Sequence, residues 1–225
     1  MSARFVLAGA AVAAGISVAA SGDTVSVVYQ GTSGNLGQEI TVSLSGGLFF
    51  QDGGSNNNVW AGQYSQSIDG AAVKTYCTEL TQWAGSGEFD VVSLDQAPNP
   101  GPGIGQLKAE AVYQLFNATN RGSDIDTSAE AAAFQATLWE IVYEYEGQAS
   151  DLALGAGRVR MSGVNSALFD LYKGLAADSD GDKSAVVTAL VNQSRQDQMR
   201  IVPLPGAAAM AGLALAGLAG ARRRG

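Results

Sequence analysis

Ala97-Pro98-Asn99-Pro100-Gly101-Pro102-Gly103 divides this chain into two parts, and it holds three of the five prolines in the sequence. Proline and glycine at this density interrupt regular structure, because proline lacks a backbone donor and glycine favours turns. Before this stretch the apolar residues follow the two-residue period of strands, and after it they follow the period of helices. We therefore predict an α+β domain, in which a β-sandwich or barrel packs against a helical subdomain.

The part before the proline stretch contains five predicted strands. Residues 39–45 alternate apolar and polar side chains, as a half-buried strand does, and residues 24–30 are rich in β-branched side chains. The predicted strands are 24–30, 39–45, 59–68, 73–80 and 88–94.

The part after the proline stretch is predicted to be mainly helical. The longest helix runs from Ala129 to Tyr145 and has Thr127 or Ser128 as its N-cap. Other helices are predicted at 104–117 and 163–175, with a short one from Ser184 and a final strand at 198–202.

The N-terminus has the pattern of a secretory signal peptide. Arg4 precedes an apolar, alanine-rich segment, and Val18 and Ala20 are the small residues expected before cleavage at Ser21. We predict that residues 1–20 are a signal peptide; a buried N-terminal helix is the alternative.

The C-terminus combines a proline motif, an apolar segment and a basic cluster. Val202-Pro203-Leu204-Pro205 is followed by sixteen uncharged residues, 206–221, and then by Arg222, Arg223 and Arg224. A helix of that length rises about 24 Å, slightly less than the roughly 30 Å hydrocarbon core of a bilayer. Arginines at one end would remain cytoplasmic.

This C-terminal order resembles the PEP-CTERM sorting signals of Gram-negative bacteria, in the variant built on Val-Pro-Leu-Pro. The resemblance implies cleavage near the proline motif by an exosortase-like membrane enzyme. It also implies that 206–221 is a transmembrane sorting segment that tethers the chain to the inner membrane before processing. Residues 21–201 would then be an extracellular domain, at the cell surface or released. A plain C-terminal membrane anchor is the alternative.

The composition excludes several classes of function. The net charge is −8 and no basic stripe occurs, so a nucleic-acid partner is not expected. The sequence has no histidine, which excludes Ser-His and Cys-His nucleophile pairs and histidine-based metal sites. Cys77 is the only cysteine, so no intrachain disulfide forms, and an unpaired cysteine is unusual in an exported protein.

Two acidic groups are weak candidates for a site. An EF-hand loop starting at Asp178 would need glycine at position 183 and glutamate at 189, where the sequence has Lys183 and Ala189. The segment 178–182 is therefore predicted to be a solvated turn, with a calcium site of another type left open. Glu140, Glu144 and Glu146 are predicted to form a solvated helix face rather than a glycosidase pair. We predict no metal site, no cofactor and no turnover enzyme.

Cys77 and Gln135 form the most specific candidate site. Cys77 lies at a predicted strand end after Tyr76, and Gln135 lies on the long helix, on the same face as Leu138 and Trp139. That apolar face presents an amide, and a buried amide needs hydrogen-bond partners or a chemical reaction.

The two motifs resemble those of the thioester domains of bacterial surface adhesins, which have an aromatic-Cys motif and a Thr-Gln-x-Ala-Ile-Trp-like motif. The resemblance implies that the Cys77 thiolate attacks the Gln135 carboxamide and expels ammonia. An amine on an extracellular ligand would then displace the thiol and form an isopeptide bond at Gln135. Tyr76, Phe134 and Trp139 would shield the thioester from water.

Three functions remain open from the sequence. The first is a covalent adhesin that reacts once through Cys77 and Gln135. The second is a non-reactive structural protein of the extracellular matrix or biofilm, in which Cys77 is an ordinary core residue. The third, a glycan hydrolase, is disfavoured because neither histidine nor a convincing carboxylate pair is present.

Overall fold

A computed structural model describes residues 23–32, 34–97, 103–178, 180–184 and 187–202. The predicted signal peptide and the sorting segment after Val202 lie outside the described residues. Within the described ranges, no helix has the length and apolar character needed to cross a membrane.

Six antiparallel strands close a barrel in the order β1-β4-β5-β9-β8-β6. Closure pairs every strand on both sides, so the sheet has no open edge. A separate small cluster of buried side chains from the barrel strands contains Val27, Phe89 and Leu190. The barrel strands are β1 Thr24–Gly31, β4 Tyr64–Ile68, β5 Ala71–Cys77, β6 Gly87–Ser93, β8 Val187–Val191 and β9 Gln198–Ile201.

A second, three-stranded sheet has the order β3-β2-β7. Its strands are β2 Gly37–Leu44, β3 Asn56–Gly62 and β7 Val159–Ser162. Ile40, Val42 and Leu44 of β2 are buried, while Thr41 and Ser43 between them are partly exposed. This alternation buries one face of the sheet, which packs against the long helix.

Three helices complete the fold: α1 Gly105–Ala118, α2 Ser128–Glu144 and α3 Ser166–Ala176. Thr127 caps α2, because its side chain accepts a hydrogen bond from the Glu130 amide and the Glu130 carboxylate accepts one from the Thr127 amide. Every residue of α2 from 131 to 143 is buried. A helix buried on all sides lies inside the core, and α2 is the element around which the two sheets and the other helices pack.

The structure confirms the mixed α and β class, with a closed barrel and packed helices, and it corrects three details. The predicted strand 59–68 is two strands, β3 and β4, because the chain turns at Gly62. Gly62 has a φ of +143°, and a Cβ there would lie 2.4 Å from the Leu36 carbonyl oxygen. The predicted helix from Ser184 is wrong, since 187–191 pairs with β6 and β9 as a strand. Strand β7 was not predicted.

Candidate functional site

Cys77 is the last residue of β5, and its side chain is completely buried and free. It lies opposite Gln198 of β9 in the barrel register. The barrel and helix α2 meet at this point, because the residue is also in contact with Gln135 of the helix.

Gln135 holds the backbone of Cys77. The Cys77 amide donates to Gln135 Oε1 at 2.9 Å, and Gln135 Nε2 donates to the Cys77 carbonyl at 2.8 Å. The side-chain amide therefore pairs with β5 as the backbone of a neighbouring strand would. The structure brings together the two residues singled out from the sequence, and their recorded hydrogen bonds run through the backbone of Cys77.

The sulfur atom of Cys77 contacts different residues. The thiol donates to Gln196 Oε1 at 2.8 Å, and Gln198 Nε2 donates to the sulfur at 3.3 Å. Sequence analysis missed both glutamines; their signal was the Gln-x-Gln spacing, which places two amides on one face of an extended segment.

Gln196 is held in a fixed orientation at the sulfur. Its Nε2 donates to the Glu79 carbonyl at 2.7 Å, and its backbone amide donates to the Trp83 carbonyl at 3.0 Å. A carbonyl carbon lies about 1.23 Å from its oxygen, so the Gln196 carboxamide carbon is at most about 4 Å from the sulfur. That separation approaches the roughly 3–3.5 Å of a reactive geometry.

The environment keeps the Cys77 thiol protonated at neutral pH. Burial raises the pKa of this thiol, the Gln198 amide and the Tyr64 hydroxyl lower it, and the Glu79 charge raises it slightly, so that the pKa is about 12. The attacking thiolate is therefore a minor species at neutral pH.

Two buried carboxyl groups, Glu79 and Asp197, lie next to this site. Burial raises the pKa of both, and the neighbouring Glu79 charge helps to raise the pKa of Asp197 to about 8. Glu79 Oε1 accepts from the Asp197 amide at 3.1 Å, and Glu79 Oε2 accepts from Thr81 at 2.7 Å. Sequence analysis singled out neither residue.

A cavity of about 290 Å³ is lined by Gln196 and by aromatic rings. All three tryptophans of the sequence line it, and none of the described lining residues is Asp, Glu, Lys or Arg. The lining residues are Tyr29, Thr32, Asn58, Val59, Trp60, Tyr64, Leu80, Trp83, Ala84, Trp139 and Gln196.

The three residues predicted to shield the site are buried, in two different surroundings. Tyr76 and Phe134 belong to an aromatic cluster, with their ring centroids 4.9 Å apart and Phe116 and Tyr172 packed on Phe134. Trp139 lies in the cavity wall, and its Nε1 has no hydrogen-bond partner among the described residues.

Searches against protein-family models, curated proteins and solved structures found no match to this chain.

The weaker candidates of the sequence have structural roles. Glu140 is completely buried and accepts from the Ala153 amide at 3.0 Å, while Glu144 accepts from the Arg158 amide at 2.8 Å. The predicted solvated helix face is therefore wrong for these two residues, although Glu146 is exposed. Burial raises the pKa of Glu140 to about 8.

In the acidic segment at 178–182, the carboxylates of Asp178 and Asp182 accept hydrogen bonds from nearby backbone amides. Asp178 accepts from the Asp180 amide at 3.1 Å, and Asp182 accepts from the Ser184 amide at 2.8 Å. Across the described part of the chain, no group of three or more potential ligand side chains could hold a metal ion. Of the predicted sorting motif, Val202 directly follows β9; Pro203, Leu204, Pro205 and the three arginines lie outside the described residues.

Proposed function

We propose that this protein is an exported surface protein in which Cys77 forms an internal thioester and attaches the protein covalently to an amine-bearing extracellular ligand. The observation that carries the proposal is the 2.8 Å contact between the Cys77 sulfur and Gln196 Oε1 in a buried site. Burial supports the same function, because an exposed thioester would hydrolyse.

The geometry favours Gln196 over Gln135 as the acyl partner. The Gln135 amide is occupied at both ends by the Cys77 backbone, whereas Gln196 presents its carbonyl group to the sulfur. Gln196 also lines the cavity from which a ligand would enter. In this proposal Gln135 positions Cys77, and Gln198 donates a hydrogen bond to the sulfur.

The proposed chemistry has two acyl-transfer steps. In the first, the sulfur attacks the Gln196 carboxamide carbon, the C–N bond breaks, and ammonia leaves with the thiol proton. In the second, a ligand amine attacks the same carbon, the C–S bond breaks, and Cys77 regains a proton while an amide links ligand and protein. The protein reacts once and is not a turnover enzyme.

Proximity offsets the low reactivity of the protonated thiol. With a pKa of about 12, roughly one thiol in 10⁵ is ionised at pH 7. Groups held in reactive geometry reach effective molarities of about 10⁵–10⁸ M, a factor as large as this loss of ionised thiol, once the sulfur moves from the oxygen to the carbon of the carboxamide.

Export and sorting form the second part of the proposal. The signal-like residues 1–20 and the tag at 202–225 support secretion by a Gram-negative bacterium, with processing by an exosortase-like enzyme. Val202 follows immediately after the last barrel strand, so cleavage near the proline motif would leave the domain of residues 21–201 intact.

The test is the intact mass of the purified chain with and without methylamine. The expected mass is one ammonia below that of the unmodified chain, and methylamine should add one equivalent. Cys77→Ala and Gln196→Ala should both abolish the ammonia loss, whereas Gln135→Ala and Gln198→Ala should keep it at lower yield. Loss of the thioester in Gln135→Ala together with its retention in Gln196→Ala would restore Gln135 as the partner.

A non-reactive structural protein of the matrix or biofilm is the second candidate. The complete burial of Cys77 favours it, since buried cysteines commonly serve as small hydrophobic residues. An unmodified mass with a free thiol in the unfolded chain would support this function instead.

A further inference from the structure

We propose that the cavity beside Gln196 binds an amino sugar, so that the ligand captured by the protein is a polysaccharide with free amino groups. This inference rests on the proposed thioester and names its substrate class.

Five of the eleven described residues that line the cavity are aromatic. Trp60, Trp83, Trp139, Tyr29 and Tyr64 all contribute to it. Aromatic rings supply a large apolar area at low conformational cost, and the C–H face of a sugar ring stacks on such a surface. At about 290 Å³ the cavity is at the small end of ligand pockets, which suits one sugar ring.

The aromatic side chains are held in place before any ligand arrives. Trp83 stacks on Phe50 with an interplanar angle of 2° and a centroid distance of 5.6 Å, and 38% of Trp83 remains exposed. Trp60 Nε1 donates to the Gln63 carbonyl at 3.1 Å, and the Tyr64 hydroxyl donates to the Trp60 carbonyl at 3.1 Å. Fixed rings lose little entropy on binding.

The backbone of Trp83 is also hydrogen-bonded to the backbone of Gln196. The Gln196 backbone amide donates to the Trp83 carbonyl at 3.0 Å. A sugar stacked on Trp83 would therefore lie in a defined position relative to the Gln196 acyl carbon.

The polar groups of the wall are uncharged. Thr32 and Asn58 offer neutral hydrogen-bonding groups. Sugar hydroxyl groups can satisfy such donors and acceptors. Among its described residues, the wall offers no carboxylate to pair with a bound ammonium ion.

Reactivity also favours an amino sugar over lysine. Aromatic rings attract ammonium ions, but only a neutral amine can attack the thioester. About one lysine side chain in a thousand is neutral at pH 7.4. A sugar amine is less basic, because the neighbouring C–O bonds withdraw electrons, so a larger fraction is neutral. The other, protonated amines of the polymer would be attracted by the chain's net charge of −8.

The test compares adduct formation by three amines at one pH and one concentration. The full-length chain is incubated with methyl glucosaminide, with glycinamide as a small amine of similarly low basicity, or with Nα-acetyl-lysine, and the intact mass is followed over time. We expect the sugar adduct to form at least tenfold faster than the glycinamide adduct. Trp83→Ala should bring this ratio close to one, and Trp83→Phe should retain most of it. Leu171→Ala, an exposed apolar truncation on α3, is the matched control and should leave the ratio unchanged.

Two failures are distinguishable. If glycinamide forms an adduct but the sugar reacts no faster, or if Nα-acetyl-lysine reacts fastest, the amino-sugar inference is overturned while the thioester stands. If no amine forms an adduct, the thioester itself is refuted and the inference falls with it.

Discussion

The side-chain amide of Gln135 pairs with both backbone groups of Cys77, accepting from its N–H at 2.9 Å and donating to its carbonyl at 2.8 Å. This contact joins the centre of the buried helix to the end of a barrel strand. Gln135 therefore holds the backbone of Cys77 in place, while the sulfur of Cys77 contacts a different glutamine, Gln196. The predictions below separate these two roles.

Gln135→Ala is expected to destabilise the fold, while thioester formation continues at lower yield. The substitution leaves the buried N–H and carbonyl of Cys77 unpaired, which should lower the free energy of unfolding by about 2–4 kcal/mol. Urea unfolding checks this value, with the exposed Gln106→Ala on α1 as the control, expected within about 0.5 kcal/mol of wild type. A loss below 1 kcal/mol would show that the pairing is not structural.

Glu140 is expected to make the protein less stable as the pH rises. Its pKa is about 8 in the folded state against 4.5 ordinarily, because burial disfavours the charged form. Below pH 4.5 the carboxyl is protonated in both folded and unfolded states, so it has no effect. Between pH 4.5 and 8 the unfolded state ionises first, and stability falls by at most about 5 kcal/mol.

Glu140→Gln should remove much of this pH dependence. Thermal unfolding at pH 5 and pH 9 should show near-equal stability at pH 5 and a clear gain for the variant at pH 9. Asp197, whose pKa is also about 8, should leave a residual slope of the same sign. Glu39→Gln on the exposed side of β2 controls for removal of one charge, and an identical gain there would argue against burial as the cause.

Thioester formation is expected to accelerate with pH. Because the pKa of Cys77 is about 12, its thiolate fraction rises about tenfold per pH unit below that value. Treatment with ammonia should convert the thioester back to Cys77 and Gln196. After ammonia is removed, re-formation can be followed by intact mass at pH 6, 7 and 8. A rate that does not depend on pH would mean that thiol ionisation does not limit the reaction.

Trp139 is expected to protect the thioester from water. Trp139→Ala opens space in a completely buried part of the cavity wall, at a cost of about 3–5 kcal/mol in stability. The thioester of this variant should hydrolyse faster than that of the wild type. Intact mass would show the hydrolysis as an increase of one water. Trp139→Phe keeps most of the ring and should retain the bond; equal persistence in Trp139→Ala would remove the shielding role.

Thr127 is expected to stabilise the start of α2. Its side chain accepts from the Glu130 amide at 3.2 Å, so Thr127→Ala should lower the free energy of unfolding by about 1 kcal/mol, whereas Thr127→Ser should be close to neutral. Urea unfolding of both variants provides the measurement. A loss of the same size in Thr127→Ser would exclude the cap as its cause.

Local sequence signals predicted much of the fold, and the sequence singled out Cys77 and Gln135 of the candidate site but neither Gln196 nor Gln198. Helix α2 and its cap at Thr127 followed from apolar spacing and from a short polar residue at the right place. The pairing of Cys77 with Gln135 rested on the resemblance to thioester domains, and the structure brings the two residues together through the backbone of Cys77. The segment 187–191 was predicted wrongly, because its pairing with β6 and β9 decides its conformation.

The sequence by itself determined the periodicity of each segment, the helix cap and the presence of one cysteine without a partner. The tertiary structure alone decided which amide meets the sulfur, since Gln196 lies 119 residues from Cys77 along the chain. It also assembled three tryptophans from separate segments into one cavity. Helix and strand periods reflect the geometry of neighbouring residues, whereas barrel closure brings distant residues together and leaves no periodic signal in the sequence.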